Sequence, residues 1–251
     1  TAVYNDLQSV EDIFRACGSE IAAVIVEPVA ANMGVVLPEE GFLTGLRRIC
    51  DEYGALLIFD EVITGFRLSL SGAQGYFGVR PDLTTFGKII GGGMPVGAYG
   101  GRKDVMELIA PSGPVYQAGT LSGNPVAMAA GLAQLRLLRD TPDFYEELNR
   151  KGDVFFENIK KAVREAGKPW QVNHIGSLGC IFFTDSPVEN YAQAKTADTK
   201  AFAEYFSWML GHGIYVAPSQ FEAMFLSAAM TEEELAGVLE TLQEYLNKNQ
   251  A

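Results

Sequence analysis

The chain has 251 residues, of which 48% are apolar, 20% charged and 11% aromatic. That balance builds packed cores and excludes disordered, collagen-like and small disulfide-stapled classes. With 19 Lys and Arg against 31 Asp and Glu, the net charge is −12, so no positive field draws the protein to nucleic acid or anionic lipid.

The first residues, Thr1 to Asp6, lack the basic-then-apolar order of a secretory signal, and charge, Pro or Gly interrupts every apolar run before it reaches membrane-spanning length. Cys17, Cys50 and Cys180 show no C-x-x-C spacing and lie in or beside apolar stretches. They read as buried free thiols of a reducing compartment, and the protein reads as cytoplasmic.

In chain order, Ser9 followed by Asp12 predicts a capped short helix to about Cys17. The unbroken apolar runs Ile21–Val26 and Ala55–Phe59 predict strands buried on both faces, with a helix over 39–53 between them. Leu83–Phe86 and Val96–Tyr99 are shorter strand candidates around a glycine-rich loop. Strand, helix, strand in this order predicts an α/β fold with a mainly parallel sheet. Asn124-Pro125 opens a helix to about Arg139.

Beyond Asp140-Thr141-Pro142 the order changes to a long helix ending near Ala166, strands at 170–175 and 178–183, a helix over 194–211, two short apolar runs at Ile214–Val216 and Met224–Leu226, and a last helix opened by a Thr231/Glu234 capping box. This predicts two domains, 1–141 and an α+β domain 142–251. Only about four strands precede that boundary, fewer than a complete doubly wound sheet carries, so an amino-terminal portion is expected upstream of Thr1.

Three features carry chemistry. Asp60 ends a buried strand, where a carboxylate caps a loop or serves a site. Lys88, in Thr85-Phe86-Gly87-Lys88-Ile89-Ile90-Gly91-Gly92-Gly93, has apolar neighbours. Their partial desolvation of its amine would favour the neutral, nucleophilic form that a Schiff base requires. The glycine run suits close approach to a ligand, or a plain flexible loop; it is not a P-loop, because Ile follows Gly87-Lys88. The hydroxyl-bearing segment Tyr116–Pro125 leads into a helix amino terminus suited to phosphate. An acid, a lysine and a phosphate-suited turn in that order fit a pyridoxal phosphate site.

These stretches, Phe59-Asp60-Glu61-Val62-Ile63-Thr64-Gly65-Phe66-Arg67, Thr85-Phe86-Gly87-Lys88 and Gly119-Thr120 with Ser122-Gly123-Asn124-Pro125, resemble the class III aminotransferase group of fold type I PLP-dependent transferases. Within it, Glu27–Gly34, Tyr116–Pro125 and Ala217–Ala223 resemble the members that rearrange glutamate 1-semialdehyde into 5-aminolevulinate for tetrapyrrole synthesis. The resemblance runs the length of the chain and covers the later part of the family's length. It implies that 1–141 is the carboxyl-terminal part of a PLP-binding large domain and 142–251 the small domain.

The resemblance also implies the site. Lys88 bonds the pyridoxal 5′-phosphate, which passes through its pyridoxamine form, and then shuttles protons. Asp60 pairs with the ring nitrogen, Val62 packs on the ring and Asn32 bonds the ring hydroxyl. Thr120 and Tyr116 reach the site of the neighbouring subunit of a homodimer. Glu222 faces the substrate, an amino-acid semialdehyde, or is a solvated loop acid. Arg67 contacts a substrate carboxylate or makes an interface salt bridge. Met230 departs from the pattern, since many relatives carry His there.

Glu27 reads as a structural acid, Glu61 as a structural or interface acid, and His174 and His212 as structural with no metal spacing. The series Phe202, Tyr205, Phe206 and Trp208 reads as a packing face. Two other functions are compatible with these residues: an intermolecular class III aminotransferase for an ω-amino or diamino acid, and a catalytically inert piece of such an enzyme.

Overall fold

In the computed structural model, which describes residues 1–248, α1 (Leu7–Cys17) is capped by Asp6, whose carboxylate accepts from the Ser9 N–H. The cap therefore lies three residues before the predicted one, with Ser9 as its N–H donor. β1 (Ala23–Val26), α2 (Phe42–Tyr53), β2 (Leu56–Glu61), α3 (Gly72–Phe77), β3 (Leu83–Phe86), β4 (Ala98–Gly101), α4 (Lys103–Met106) and α5 (Pro125–Asp140) follow. Thr1–Pro28 and Glu39–Phe144 make one compact unit, and Val29–Pro38 with the chain from Tyr145 onward make a second.

The first unit holds a four-stranded sheet in the order β1-β2-β3-β4, parallel except for the antiparallel edge strand β4. The apolar stripe of α2, including Leu43, Leu46 and Ile49, packs with Val10 and Phe14 of α1 onto Leu57 and Phe59 of β2. Gly54 ends α2 in the left-handed region at φ 72° and returns its N–H to the Cys50 carbonyl.

Burial on both strand faces is not what this sheet shows. β2 alternates buried and half-buried residues, and Ile25 on the edge strand β1 is 63% exposed. The reason is that α1 and α2 supply the packed layer for one face, onto which Leu57 and Phe59 point.

Asp82, at the start of β3, joins three elements of this unit. Its Oδ2 accepts from the Leu57 N–H at 2.7 Å and from Arg47 at 2.7 Å, and its Oδ1 accepts from Arg102 at 3.0 Å. Its own N–H donates to the Leu57 carbonyl at 2.8 Å.

In the second unit, α6 (Phe144–Glu165) precedes an antiparallel pair, β5 (Gln171–Ile175) and β6 (Leu178–Phe182), followed by α7 (Tyr191–Ala194), α8 (Thr199–Gly211), β7 (Met224–Phe225) and α9 (Glu232–Asn247). The helix predicted over 194–211 is divided, because Asp198 caps α8 by accepting from the Lys200 and Ala201 N–H groups. The capping box of Thr231 and Glu234 is formed. Phe156, Ile159, Met209, Leu242 and Leu246 form the core, and Phe202, Tyr205 and Trp208 pack with it.

Ile214–Val216 is not a strand. Two main-chain positions of the sheet region are instead satisfied by the buried Gln220 side chain, whose Nε2 donates to the Ile181 carbonyl at 2.7 Å while its Oε1 accepts from the Phe183 N–H at 3.2 Å. One side chain thus makes the two bonds a neighbouring strand residue would make.

Burial opposes the charge on Asp82, but the Leu57 N–H and the Arg47 and Arg102 guanidiniums outweigh it and hold its carboxyl below the ordinary value. A carboxyl held below its unfolded value of about 3.9 adds stability that is complete above about pH 5 and is lost as pH falls through the folded value. Asp82→Asn is expected to cost about 1–3 kcal/mol at neutral pH, because the amide keeps only one acceptor oxygen for the Leu57 N–H, Arg47 and Arg102 and turns its NH2 group toward one set of donors. Urea unfolding at stepped pH should show a shallower acid loss in the variant than in the parent.

Candidate active site

The end of β2 divides two acids by strand alternation. Glu61 points inward, is fully buried, and accepts from Thr64 Oγ1, the Ala73 and Gln74 N–H groups and Gln74 Nε2 at 2.5–3.1 Å. It holds the start of α3, which is the structural role expected of it.

Asp60 faces the other way and is half-buried. Its Oδ1 accepts from the Val62 N–H at 3.1 Å and from Thr85 Oγ1 at 3.1 Å, and Oδ2 has no partner among the described residues. Thr85 is available because the parallel register sets it directly opposite Asp60. Asp60 is therefore an anchored carboxylate with one oxygen left to meet something else.

β3 ends at Phe86, and Gly87-Lys88 follow it, Lys88 three residues beyond Thr85. A Cβ on Gly87 would lie 3.2 Å from Val62 Cγ1, so the absence of a side chain lets Val62 lie against the backbone that leads into Lys88. Lys88 itself has φ 48°, an uncommon left-handed value for a residue with a Cβ, and opens a 3-10 turn, Lys88–Gly91. That turn sits on α5, where a Cβ on Gly131 would run into the Ile90 carbonyl oxygen.

Lys88 is exposed and lines an open cleft of about 670 Å³ with Met94, Pro95, Val96 and Gln134. Its side chain is exposed rather than packed among the apolar residues beside it in sequence. The left-handed turn parts Lys88 from Phe86, whose ring packs instead against Phe66 at 5.8 Å.

Thr120 and Tyr116 lie on the exposed segment before α5, Tyr116 being 82% exposed. The amino terminus of α5 is already capped, since Asn124 Oδ1 accepts from the Val126 and Ala127 N–H groups. Gly119, Leu121, Ser122 and Gly123 of the same segment line an apolar cleft of about 680 Å³ with Phe86 and Met128.

Asn32 and Glu222 belong to the second unit, and both are exposed. The structure ties their segments together, because the Gly34 N–H donates to the Phe221 carbonyl at 2.8 Å. So Asp60 and Val62 lie at the end of β2 and Lys88 follows the adjacent β3 in the first unit, Thr120 and Tyr116 share an exposed segment of that unit, and Asn32 and Glu222 lie on two segments of the second unit joined by the Gly34–Phe221 bond.

His174 stacks on Phe156 with its Nε2 3.4 Å from Asp153, and His212 stacks on Trp208 at the end of α8. Among the described residues no group of three His, Cys, Asp or Glu could hold a metal. No helix among them is long and apolar enough to cross a membrane. Arg67 is half-buried and its N–H donates to the Thr64 carbonyl at 3.0 Å.

Residues that sequence reading passed over are Thr85, which orients Asp60, and Gly131, which seats the lysine turn. The signal for Gly131 was present: Ala127 and Gly131 are small residues one turn apart on a helix, both buried.

Comparison with known proteins adds the following. The sequence model of "Aminotransferase class-III" matches residues 2–246. The chain is 61% identical over 246 residues to glutamate-1-semialdehyde 2,1-aminomutase 1 of Lachnoclostridium phytofermentans, covering 98% of this chain and 58% of that protein. It is 56% identical over 243 residues to glutamate-1-semialdehyde 2,1-aminomutase of Bacillus subtilis, covering 97% and 56%.

Among solved structures, a β-phenylalanine aminotransferase from Variovorax paradoxus superposes with a TM-score of 0.91 at 33% identity, covering 98% of this chain and 57% of that one. A glutamate-1-semialdehyde-aminomutase from Pseudomonas aeruginosa PAO1 in complex with PMP gives 0.88 at 26%, covering 98% and 56%. The chain thus spans somewhat more than half the length of the curated relatives it matches.

Gly131→Ala tests the seating of the lysine turn. Alanine is the better helix former by about 1 kcal/mol, but its Cβ meets a backbone oxygen that cannot swing aside. The clash is expected to win, with a net loss of about 1–3 kcal/mol in unfolding free energy. Thermal denaturation reads the sign.

Proposed function

Because the chain belongs to the class III aminotransferase family, we propose that the whole protein isomerises glutamate 1-semialdehyde to 5-aminolevulinate by moving an amino group within one molecule, using pyridoxal 5′-phosphate. The observation that supports the chemistry is that Asp60 lies at the end of β2, bonded to Thr85 of the adjacent parallel strand β3, and that Lys88 follows the end of β3. The curated relatives at 56% and 61% identity support the aminomutase form of it.

The donor set fits that cofactor. Asp60 has one oxygen anchored and one without a protein partner, as required to hold a protonated ring nitrogen. Lys88 offers a primary amine into an open cleft, and Val62, beside Gly87, offers an apolar surface for a flat ring. When bound, the cofactor supplies an aldehyde or amine and an electron sink through which nitrogen leaves one substrate carbon and enters another.

The protein's residues do the remainder. Asp60 keeps the ring nitrogen charged, and Thr85 keeps Asp60 from turning away. Lys88 Nζ would carry a proton between the reacting substrate carbon and the cofactor carbon on the far side of the transferred nitrogen, a positioned transfer worth roughly 10²–10⁴-fold. Asn32 orients the ring through its hydroxyl, and Glu222 positions a substrate amino group. Thr120 and Tyr116, both exposed, serve the neighbouring subunit of a homodimer. The same reading makes the protein cytoplasmic, with a small-molecule substrate and no nucleic-acid or membrane partner.

A second reading, an intermolecular aminotransferase, draws support from solved aminotransferases at 33% and 34% identity with TM-scores of 0.91 and 0.89. One assay separates the two. The full-length protein is expected to form 5-aminolevulinate from glutamate 1-semialdehyde with no oxo-acid acceptor added, and Lys88→Ala to lower the rate at least ~10²-fold. Strict dependence on an added acceptor would reject the mutase and favour the second reading.

A further inference from the structure

The segment Val29–Pro38 lies in sequence between β1 and α2 of the first unit, yet it is built into the second. It folds back on itself, with Ala30 and Val36 exchanging both main-chain bonds at 3.1 and 2.9 Å, and Asn32 lies in the bend between them. Val29, Ala31, Val35 and Val36 are no more than 1% exposed. Polar contacts fasten the bend.

The buried Val35 N–H donates to Cys180 Sγ at 3.0 Å. The Val35 carbonyl accepts from Asn173 Nδ2 at 2.9 Å, and the same amide nitrogen donates to the Val188 carbonyl at 2.9 Å. The Gly34 N–H donates to the Phe221 carbonyl at 2.8 Å, one residue before Glu222. Gly34 stands at φ 80°, and a Cβ there would strike the Phe182 ring and approach Cys180 Sγ at 3.2 Å. The loop bearing Glu222, joined to the bend through Phe221, is also bonded to the β6 edge by Gln220 on Ile181 and Phe183.

We infer that Asn173 and Cys180 are positioning residues that fasten the Val29–Pro38 bend to β5 and β6, so that Asn32 and Glu222 are carried on one hydrogen-bonded frame and move together. This rests on the assignment of Asn32 to the cofactor and Glu222 to the substrate. The cofactor-side amide and the substrate-side acid then keep a constant separation while a substrate is turned from one amino position to the other. Burial pushes the Cys180 thiol up to about 12, so it stays protonated and acts as a soft, neutral acceptor for the Val35 N–H.

The experiment uses the full-length protein, with Asn173→Ala, Cys180→Ala and Cys180→Ser. Hydrogen exchange without cofactor reads the frame. In both alanine variants, exchange is expected to rise together in residues 29–38 and 219–223, and to stay unchanged in α6 and α9. Faster exchange in 29–38 alone, or an equal rise throughout the second unit, would overturn the coupling. Serine, which keeps an acceptor, should restore the parent pattern; failure to do so would also overturn it. If Asn173→Ala does not fold, the Cys180 pair carries the same test.

A second measurement uses pyridoxal 5′-phosphate itself, followed by the pH midpoint of its bound absorbance. Asn173→Ala and Cys180→Ala are expected to shift that midpoint in the same direction as Asn32→Ala and to weaken cofactor retention roughly fivefold, as for one net hydrogen bond. An unmoved midpoint in the alanine variants, with a moved one in Asn32→Ala, would refute the positioning role. A midpoint unmoved in Asn32→Ala, with coupled exchange present, would instead refute the assignment of Asn32 and leave the frame standing.

Discussion

The parallel pairing of β2 with β3 is the constraint on which the site depends. Its register sets Thr85 opposite Asp60, and three residues later the chain reaches Lys88. A slip of one residue would exchange Asp60 and Glu61 between faces, burying the candidate-site acid and exposing the one that holds α3. Asp82 secures that register from the other end of the strand, because it both donates to and accepts from the main chain of Leu57. A structural carboxylate with two guanidinium partners thus helps fix where the candidate-site carboxylate points.

The three acids show how environment allots roles to one chemical group. Asp82 is buried and saturated by a main-chain N–H and two arginines. Glu61 is buried and saturated by hydroxyl, amide and main-chain donors. Asp60 is half-buried with one oxygen saturated. Buried carboxylates are stable only when their lone pairs are met, so the partly met one is the group with capacity for a ligand.

Lysine 88 is placed by backbone geometry more than by its surroundings. Its left-handed φ, the missing side chain of Gly87 and the close approach at Gly131 together define the turn. Its exposure is consistent with β2, whose non-helical face is only half-buried in this chain. In the second unit the logic is different. There a short bend from the preceding polypeptide is bound by side chains of β5 and β6, and a glutamine amide stands in for strand bonds.

By itself the sequence determined the local elements whose signals are covalently close. Leu83–Phe86, the Asn124-Pro125 start of α5 and the Thr231/Glu234 box occur where expected, because capping and strand alternation act over a few residues. It also placed Asp60 at a strand end and Lys88 after the next strand, and its motifs carried the family resemblance.

Only the tertiary structure decided which strand face is covered, since periodicity within a strand does not reveal what packs against it. It likewise decided that Thr85 orients Asp60, that Gly131 seats the lysine turn and that Val35 rests on Cys180, 145 residues away. Those contacts join residues whose separation along the chain leaves no periodic trace, and their geometry exists only once the strands have paired.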